Sequence, residues 1–350
     1  MFIRCGTFNL YQFAAPPFSW YEKENFYTAD EWQAKKAWII SRLKEMDCDV
    51  IGFQEVFSID ELKALVNAAG YAYFDVVEQP EHDSHDTLIF TSPVVAVAAR
   101  FPLSSVQAVR FSQQSEEQLP VEADFKYSRT PVRAEVELPG FGNILVYVSH
   151  LKSKRAIELQ PDYDDADPWK KKVLATMQAR SAGHVAALLQ RGAEAYDLYM
   201  AVSTQIEAQP DKPILVLGDM NDDPDSIPVE ALSNRAWLFE VDGVKYQNLP
   251  MEAKVSAYQY KLYDAFNLAP NQDGLKRTPT HYYRGEGNTL DYIFVSNALN
   301  EQNNRAVGKV VDFVVYDEHL HSDGVGNKKQ SDHAQPVVRI QLNTNHELNL

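Results

Sequence analysis

Six short segments of this chain each set a chemically useful side chain at the end of an apolar run. Pro213-Ile214-Leu215-Val216 leads into Leu217-Gly218-Asp219-Met220-Asn221, which places an acid and an amide two residues apart. Asn9 closes an N-terminal apolar run, Glu55 closes Asp49-Val50-Ile51-Gly52-Phe53-Gln54, and His150 closes Ile144-Leu145-Val146-Tyr147-Val148-Ser149. Asp291 opens Asp291-Tyr292-Ile293-Phe294-Val295, and Asp332-His333 precede Pro336-Val337-Val338. Polar groups gathered at strand ends form a rigid, convergent site, and this set suits metal-assisted attack of water on phosphorus. Hard divalent cations such as Mg²⁺ take oxygen ligands, commonly one or two carboxylates completed by water and substrate phosphate. Glu55 and Asp332 supply carboxylates, and Asn9 and Asp219 can join them. In-line displacement also needs a positioned water, for which Asp219 is the candidate base and Asn221 the orienting amide. His150 and His333 are the candidate donors to the phosphoryl oxygens, with Asp291 holding His333 in its donating tautomer.

Taken singly, each residue has an ordinary explanation. Asn9 could terminate a strand through its side chain, and Gly218 to Pro224 has the composition of a turn. Six such residues at six strand ends weaken that explanation.

The elements that must position them are readable as a coarse pattern. Trp32, Ala37, Ile40, Leu43 and Met46 fit a helical stripe over 31–46, with Asp30 as its cap. Ser58-Ile59-Asp60-Glu61 has the form of a capping box opening a second helix that ends near Gly70. Strand patterns follow at 71–77, 86–91, 93–100, 105–111, 131–138 and 143–150, with a loop at 112–130. The segment 152–172 is basic, then acidic, then basic again. One helix is expected over 171–191, carrying Val173, Leu174, Met177, Val185, Leu188 and Leu189, and another over 193–208. Strands and helices in each half imply sheets covered by helices, one domain over 1–350 whose two halves meet near 170–195.

Composition narrows the class. The 350 residues, 45% of them hydrophobic, are ample for a large core, and nothing suggests disorder. A net charge of −16 argues against a protein that coats nucleic acid regardless of sequence. It leaves a nuclease open, because bound cations and local Lys and Arg dominate at the site itself. No leader pattern and no membrane-spanning apolar run are visible, so a cytoplasmic location is the default, or a secreted or periplasmic one if a leader has been removed. Cys5 and Cys48 read as two buried thiols rather than a bridge.

Thr7-Phe8-Asn9, Gly52-Phe53-Gln54-Glu55-Val56, Ser149-His150-Leu151, Gly218-Asp219-Met220-Asn221, Leu290-Asp291-Tyr292-Ile293-Phe294-Val295-Ser296 and Ser331-Asp332-His333 together resemble the endonuclease/exonuclease/phosphatase superfamily, the deoxyribonuclease I-like group. Arg100-Phe101-Pro102, Ser128-Arg129-Thr130-Pro131 and Thr280 are softer matches. The resemblance implies an α/β four-layer sandwich, two mixed β-sheets face to face with helices outside, and a divalent metal at the rim. It implies Glu55 as main ligand, with Asp219, Asn221, His150 and His333 serving phosphate and water and Asp291 pairing with His333. His150-Leu151-Lys152-Ser153-Lys154 is similar to an element of bacterial secreted or surface nucleases in this superfamily. Lys152 and Lys154 are therefore candidate phosphate clamps, with an offset to the neighbouring acidic loop as the other reading. Arg129 is the arginine expected to face the site. Tyr127 reads as core and Asp264 as local structure. Asp162 to Asp167 lack the glycine and terminal glutamate of an EF-hand, which disfavours Ca²⁺ there.

The expected activity is Mg²⁺- or Mn²⁺-dependent phosphoester hydrolysis, first as a phosphodiesterase of nuclease type acting on nucleic acid. The alternatives are action on a small phosphorylated molecule or phospholipid head group, of inositol phosphate or sphingomyelin type, and an inactive scaffold of the same fold. No protein partner is expected.

Overall fold

The structure, a computed structural model, describes every residue except 123, 237, 239, 271, 273–274, 323–326 and 344–350. Two six-stranded sheets organise it. In chain order their strands are β1 (Phe2–Phe13), β2 (Val50–Val56), β3 (Tyr73–Asp75), β4 (Val94–Ala99), β5 (Leu103–Ala108), β6 (Val132–Leu138), β7 (Gly142–His150), β8 (Ile214–Asp219), β9 (Leu262–Asp264), β10 (Asp291–Ser296), β11 (Gly308–Tyr316) and β12 (Gln335–Leu342). The first sheet runs β11-β12-β1-β2-β4-β3 and the second β9-β10-β8-β7-β6-β5. Both are mixed: β1 pairs with β2, and β7 with β8, in parallel, while their outer neighbours are antiparallel.

The central strands are apolar on both faces, as strands covered on both sides must be. In β4, Val95, Val97 and Ala99 face the layer between the sheets, and Val94, Ala96 and Ala98 face outward onto helices. In β8, Leu215 and Leu217 point into the same inner layer, and Ile214 and Val216 point the other way. The period of two thus divides one chain among three apolar layers. Helices α1 (Ala29–Met46) and α2 (Ile59–Ala68) close the first sheet with Ile39, Leu43, Leu62 and Val66. A short α3 (Gln113–Gln118) precedes α4 (Trp169–Ala208) and α5 (Ile227–Ser233), of which α4 and α5 close the second sheet with Leu198, Val202, Ile206 and Leu232. The result is the four-layer sandwich. No helix among the described residues is long and apolar enough to cross a membrane.

Local differences from the sequence reading have local causes. The cap of α1 is Thr28 rather than Asp30: the Thr28 side chain accepts from the Glu31 amide, and Glu31 returns a bond to the Thr28 amide. Ser58 does not close the box expected over 58–61. Its Oγ accepts from the Ala15 amide at 2.8 Å, and Glu61 pairs with Lys36. The expected loop 112–130 contains α3, capped by Ser112. Cys5 and Cys48 are buried free thiols.

The largest difference is α4, one 40-residue helix where two were expected. Arg191, Glu194, Ala195, Leu198, Val202 and Ile206 form one buried stripe that runs on without a break. Gly192 lies in open space, so it costs only its intrinsic helix penalty of about 1 kcal/mol. In the first half of α4, Val173, Leu174, Met177, Val185, Leu188 and Leu189 are exposed, and Ala175, Gly183 and Ala187 face the body instead. Periodicity found the helix there but not the face it buries.

Candidate active site

Strand register brings the site together. His150 on β7 pairs with Asp219 on β8, and Asp219 pairs with Asp291 on β10, so three of the residues stand side by side across the second sheet. The row depends on Gly218, because a Cβ there would run into the Ser149 carbonyl of the neighbouring strand. Asn9 comes from the first sheet, and its Nδ2 donates to Asp219 Oδ2 at 3.1 Å across the gap between sheets. Gly52 holds that gap narrow, since a Cβ there would lie 2.9 Å from Val148 Cγ1.

Glu55 reaches the site through a break in pairing. The register of β2 shifts on both sides near residue 55, and Glu55 itself has φ 61°. A bulge of this kind re-aims a side chain at a strand end. Tyr11, Gln12 and Asn221 also take left-handed φ values of 53°, 58° and 53°. Strain of this order persists where the surroundings determine it, and here those surroundings are the site. The Gln12 amide donates to Glu55 Oε2 at 2.7 Å, and the Tyr11 amide to Asn9 Oδ1 at 3.0 Å.

Asp219 is the hub. Its Oδ1 accepts from the Asn221 amide at 2.8 Å, and its Oδ2 lies 3.5 Å from His150 Nε2 and 3.9 Å from His333 Nε2. Burial, then the nearby Asp291, pushes its carboxyl up to about 7, against the pull of His333. His333 Nδ1 meets Asp291 Oδ2 at 2.8 Å. Burial disfavours the imidazolium of His333, but Asp291 and Asp219 outweigh it and hold its pKa well above the ordinary value. His150 goes the opposite way: burial, then Arg129 and His333, holds it neutral. Two histidines beside one carboxylate are therefore shifted in opposite directions. Asp291 is fixed from behind, where Thr280 Oγ1 accepts from the Leu290 and Asp291 amides. Ser331 Oγ donates to the Asn9 carbonyl at 2.6 Å and accepts from the His333 amide, tying the last site loop to the first strand.

The donor set fits a hard cation. Asp332 Oδ1 is buried without a hydrogen-bond partner among the described residues. Burial raises the Asp332 carboxyl to about 6, His333 opposing and Glu55 adding to the rise. Crowded carboxylates with an orphaned oxygen are what a bound cation relieves. Ligand atoms of Asp219, Asp291 and His333 also lie within 4.8 Å of one another, as do those of His281, Asp332 and His333.

The three peripheral candidates are placed less centrally. Arg129 Nη1 donates to the Leu151 carbonyl at 3.3 Å, next to His150. Lys152 folds its amine onto the Ser153 and Arg155 carbonyls of its own loop. Lys154 pairs with Asp223 at 2.6 Å and Asp222 at 3.1 Å, just beyond Asn221. Tyr127 is turned inward, its hydroxyl donating to Asp197 at 2.6 Å. Asp264 caps a short helix through the Phe266 amide and pairs with Arg277.

Sequence reasoning passed over three groups. His281 lies against His333, ring centroids 5.0 Å apart, with its Nδ1 buried and unpartnered among the described residues. Lys35 on α1 is fully buried and donates to the Lys328 and Gln330 carbonyls, just ahead of Ser331-Asp332-His333. Desolvation brings its pKa down to about 7, with Asp332 and Glu55 opposing. The third group is the polar face of α4. Glu194 accepts from the Ser128 and Lys152 amides, each at 2.6 Å, and Arg191 joins Asp222 to the Lys152 carbonyl. The signal was present as Arg191, Glu194 and Asp197 recurring among apolar stripe residues, a spacing that marks a buried polar face. Glu194→Ala leaves the partly buried Ser128 and Lys152 amides without their acceptor, so urea denaturation is expected to show a loss of about 1–3 kcal/mol. An unchanged midpoint would mean that these loops are held by something else.

The fold, with its acids and histidines at one rim of two stacked sheets, is that of the deoxyribonuclease I-like α/β sandwiches. Residues 6–333 match the model of the Endonuclease/Exonuclease/phosphatase family, and the chain belongs to that family. Its members hydrolyse phosphoesters, and that class of activity comes with membership. Among solved structures, the human Nocturnin catalytic domain with bound sulfate anion aligns with a TM-score of 0.55 at 17% identity, covering 97% of this chain and 94% of that one. ANGEL2, a 2′,3′-cyclic phosphatase, aligns with a TM-score of 0.54 at 14% identity, covering 98% and 95%. Truncated Caenorhabditis elegans TDP2 gives 0.52 at 12% identity, covering 97% and 98%. At these identities the likeness is one of fold. No curated protein sequence matches the chain.

Proposed function

We propose that the chain is a divalent-metal-dependent phosphodiesterase of nuclease type, in which Asp219 is the base and His333 the charged donor. The observation that carries the reading is the placement of these two groups, with the Asp219 carboxylate 3.9 Å from Nε2 of an imidazole whose Nδ1 is held by Asp291 at 2.8 Å. Glu55 and Asp332, with Asn9, are the residues that would hold Mg²⁺ or Mn²⁺. The cation, when bound, supplies charge neutralisation at the phosphoryl oxygens.

The chain's own residues do the rest. Asn221 is fixed by its amide on Asp219 and by its Nδ2 on the Leu151 carbonyl, and its side chain orients the water. Asp219 takes the proton of that water as the bond to phosphorus forms. Neutral His150 and charged His333 donate to the oxygens on which charge grows, in a buried setting where such donors act strongly. Leaving-group departure completes an in-line displacement.

A second reading, hydrolysis of a small phosphorylated molecule, is favoured by a cavity of about 1000 Å³ that opens beside His333 and Asn221. The test of the metal-dependent reading uses bis(4-nitrophenyl) phosphate with millimolar Mg²⁺. Hydrolysis is expected to fall more than tenfold in excess chelator. Mg²⁺ should also raise the melting temperature more at about pH 8 than at about pH 5, because the carboxylates must ionise to bind. Full activity in chelator, or no turnover in Mg²⁺ or Mn²⁺, would remove this reading.

A further inference from the structure

The cavity beside the site has walls that the catalytic reading does not use. One is the loop 154–161, the second is the first half of α4 through Thr176, Arg180 and His184, and the third is the hairpin 281–288 with His281, Tyr283 and Glu286. The loop is seated on the helix at Gly183. The Ile157 amide donates to the Gly183 carbonyl, and a Cβ at 183 would strike the Ile157 carbonyl oxygen. Glycine in mid-helix costs about 1 kcal/mol relative to alanine, and here it admits close backbone approach that builds the wall.

Charge in the cavity is unevenly paired. Lys154 is held by Asp222 and Asp223, and Arg155 lies 3.6 Å from Glu158. Arg180 has no carboxylate within 4 Å among the described residues, although the chain carries a net charge of −16. His184 lies one turn beyond it on the same face of α4, as residues four apart do. Glu286 lines the opposite wall, which confines an anion to the α4 side. A guanidinium is weakly hydrated and presents a fork that matches phosphate.

We infer that this cavity is a subsite for a second, non-reacting phosphate of the substrate, bound by Arg180 and His184 while the reacting phosphate sits against His333 and Asn221. The inference rests on the phosphoesterase reading of the catalytic site and deepens it. The substrate carries at least two phosphate groups joined by a unit small enough for a walled cavity: one nucleotide of a single strand, or a polyphosphorylated small molecule.

The experiment is a binding comparison that needs no turnover. Adenosine 5′-monophosphate and adenosine 3′,5′-bisphosphate are titrated calorimetrically into the full chain with Mg²⁺, beside an inositol monophosphate and an inositol bisphosphate. A second phosphate is expected to tighten binding about tenfold or more, the contribution of a charge-assisted hydrogen bond. That advantage is expected to fall below about twofold in Arg180→Glu. Gly183→Ala, a better helix former, should lose it too while exposing the 154–161 loop to limited proteolysis. An advantage confined to the nucleotide pair identifies a nucleic-acid substrate, and one confined to the inositol pair a small-molecule substrate. No advantage in the unmodified chain, or one that survives in Arg180→Glu, overturns the subsite. If the advantage is present and bis(4-nitrophenyl) phosphate is still not cleaved, the catalytic reading fails and the subsite stands.

Discussion

Asp219→Asn is expected to lower kcat by about 10³-fold, some 4 kcal/mol of transition-state stabilisation, with the fold intact. Asparagine keeps the shape and the acceptor for the Asn221 amide but cannot take a proton from water. Stability should move little, and in a predictable direction. Burial and Asp291 raise the native carboxyl to about 7, well above its unfolded value of about 3.9. Its contribution to stability is therefore full below about pH 4 and is lost as pH rises through 7. The amide does not ionise, so in chelator at about pH 8 the variant should melt no lower than the parent. Turnover within tenfold of the parent would assign the base elsewhere, and a large drop in melting temperature would make Asp219 a structural residue.

Asp291→Asn is expected to cost about 10²–10⁴-fold in kcat by a different route, since the residue acts through His333. The 2.8 Å contact to Nδ1 fixes the ring and, with Asp219, holds it charged despite burial. An amide can fix the ring but not the charge. The His333 pKa should therefore fall, and imidazole NMR titration reads that fall directly. The alkaline limb of the pH profile should move down with it, as the donor loses its proton at lower pH. Loss of rate with an unmoved His333 titration would reduce Asp291 to a structural support.

Much of this arrangement was legible in the residues. Unbroken apolar runs in 213–219, 143–150 and 291–296 identified strands with both faces buried, because a chain that feeds two apolar layers leaves few polar residues between its ends. Where polar residues did occur, they stood at the site. The helix at 169–208 was less legible. Its exposed Val173, Leu174 and Met177 imitate a buried stripe, and its true inner face is small residues followed by Arg191, Glu194 and Asp197. Local patterns record periodicity but not which side meets a partner.

The residues beyond the motifs needed long-range contacts to emerge. Nothing local marks Lys35 as a support for the 328–333 segment some 293 residues away, or Gly183 as the seat of Ile157. Lys152 and Lys154 read either as phosphate clamps or as charges offsetting an acidic loop, and long-range contacts set Lys152 on carbonyls of its own loop and Lys154 on Asp222 and Asp223.

By itself, the sequence determined the strand ends and the chemical types placed there, because these depend on local periodicity and on short runs of residues, and its ordered motifs carried the family resemblance that implied the four-layer plan. Only the tertiary structure decided that Asn9 crosses from one sheet to bond Asp219 on the other, that a break in β2 turns Glu55 inward, and that three walls enclose a cavity beside His333. Those features depend on register between strands far apart in the chain and on which buried charges share a low-dielectric space, and neither is written in any one segment.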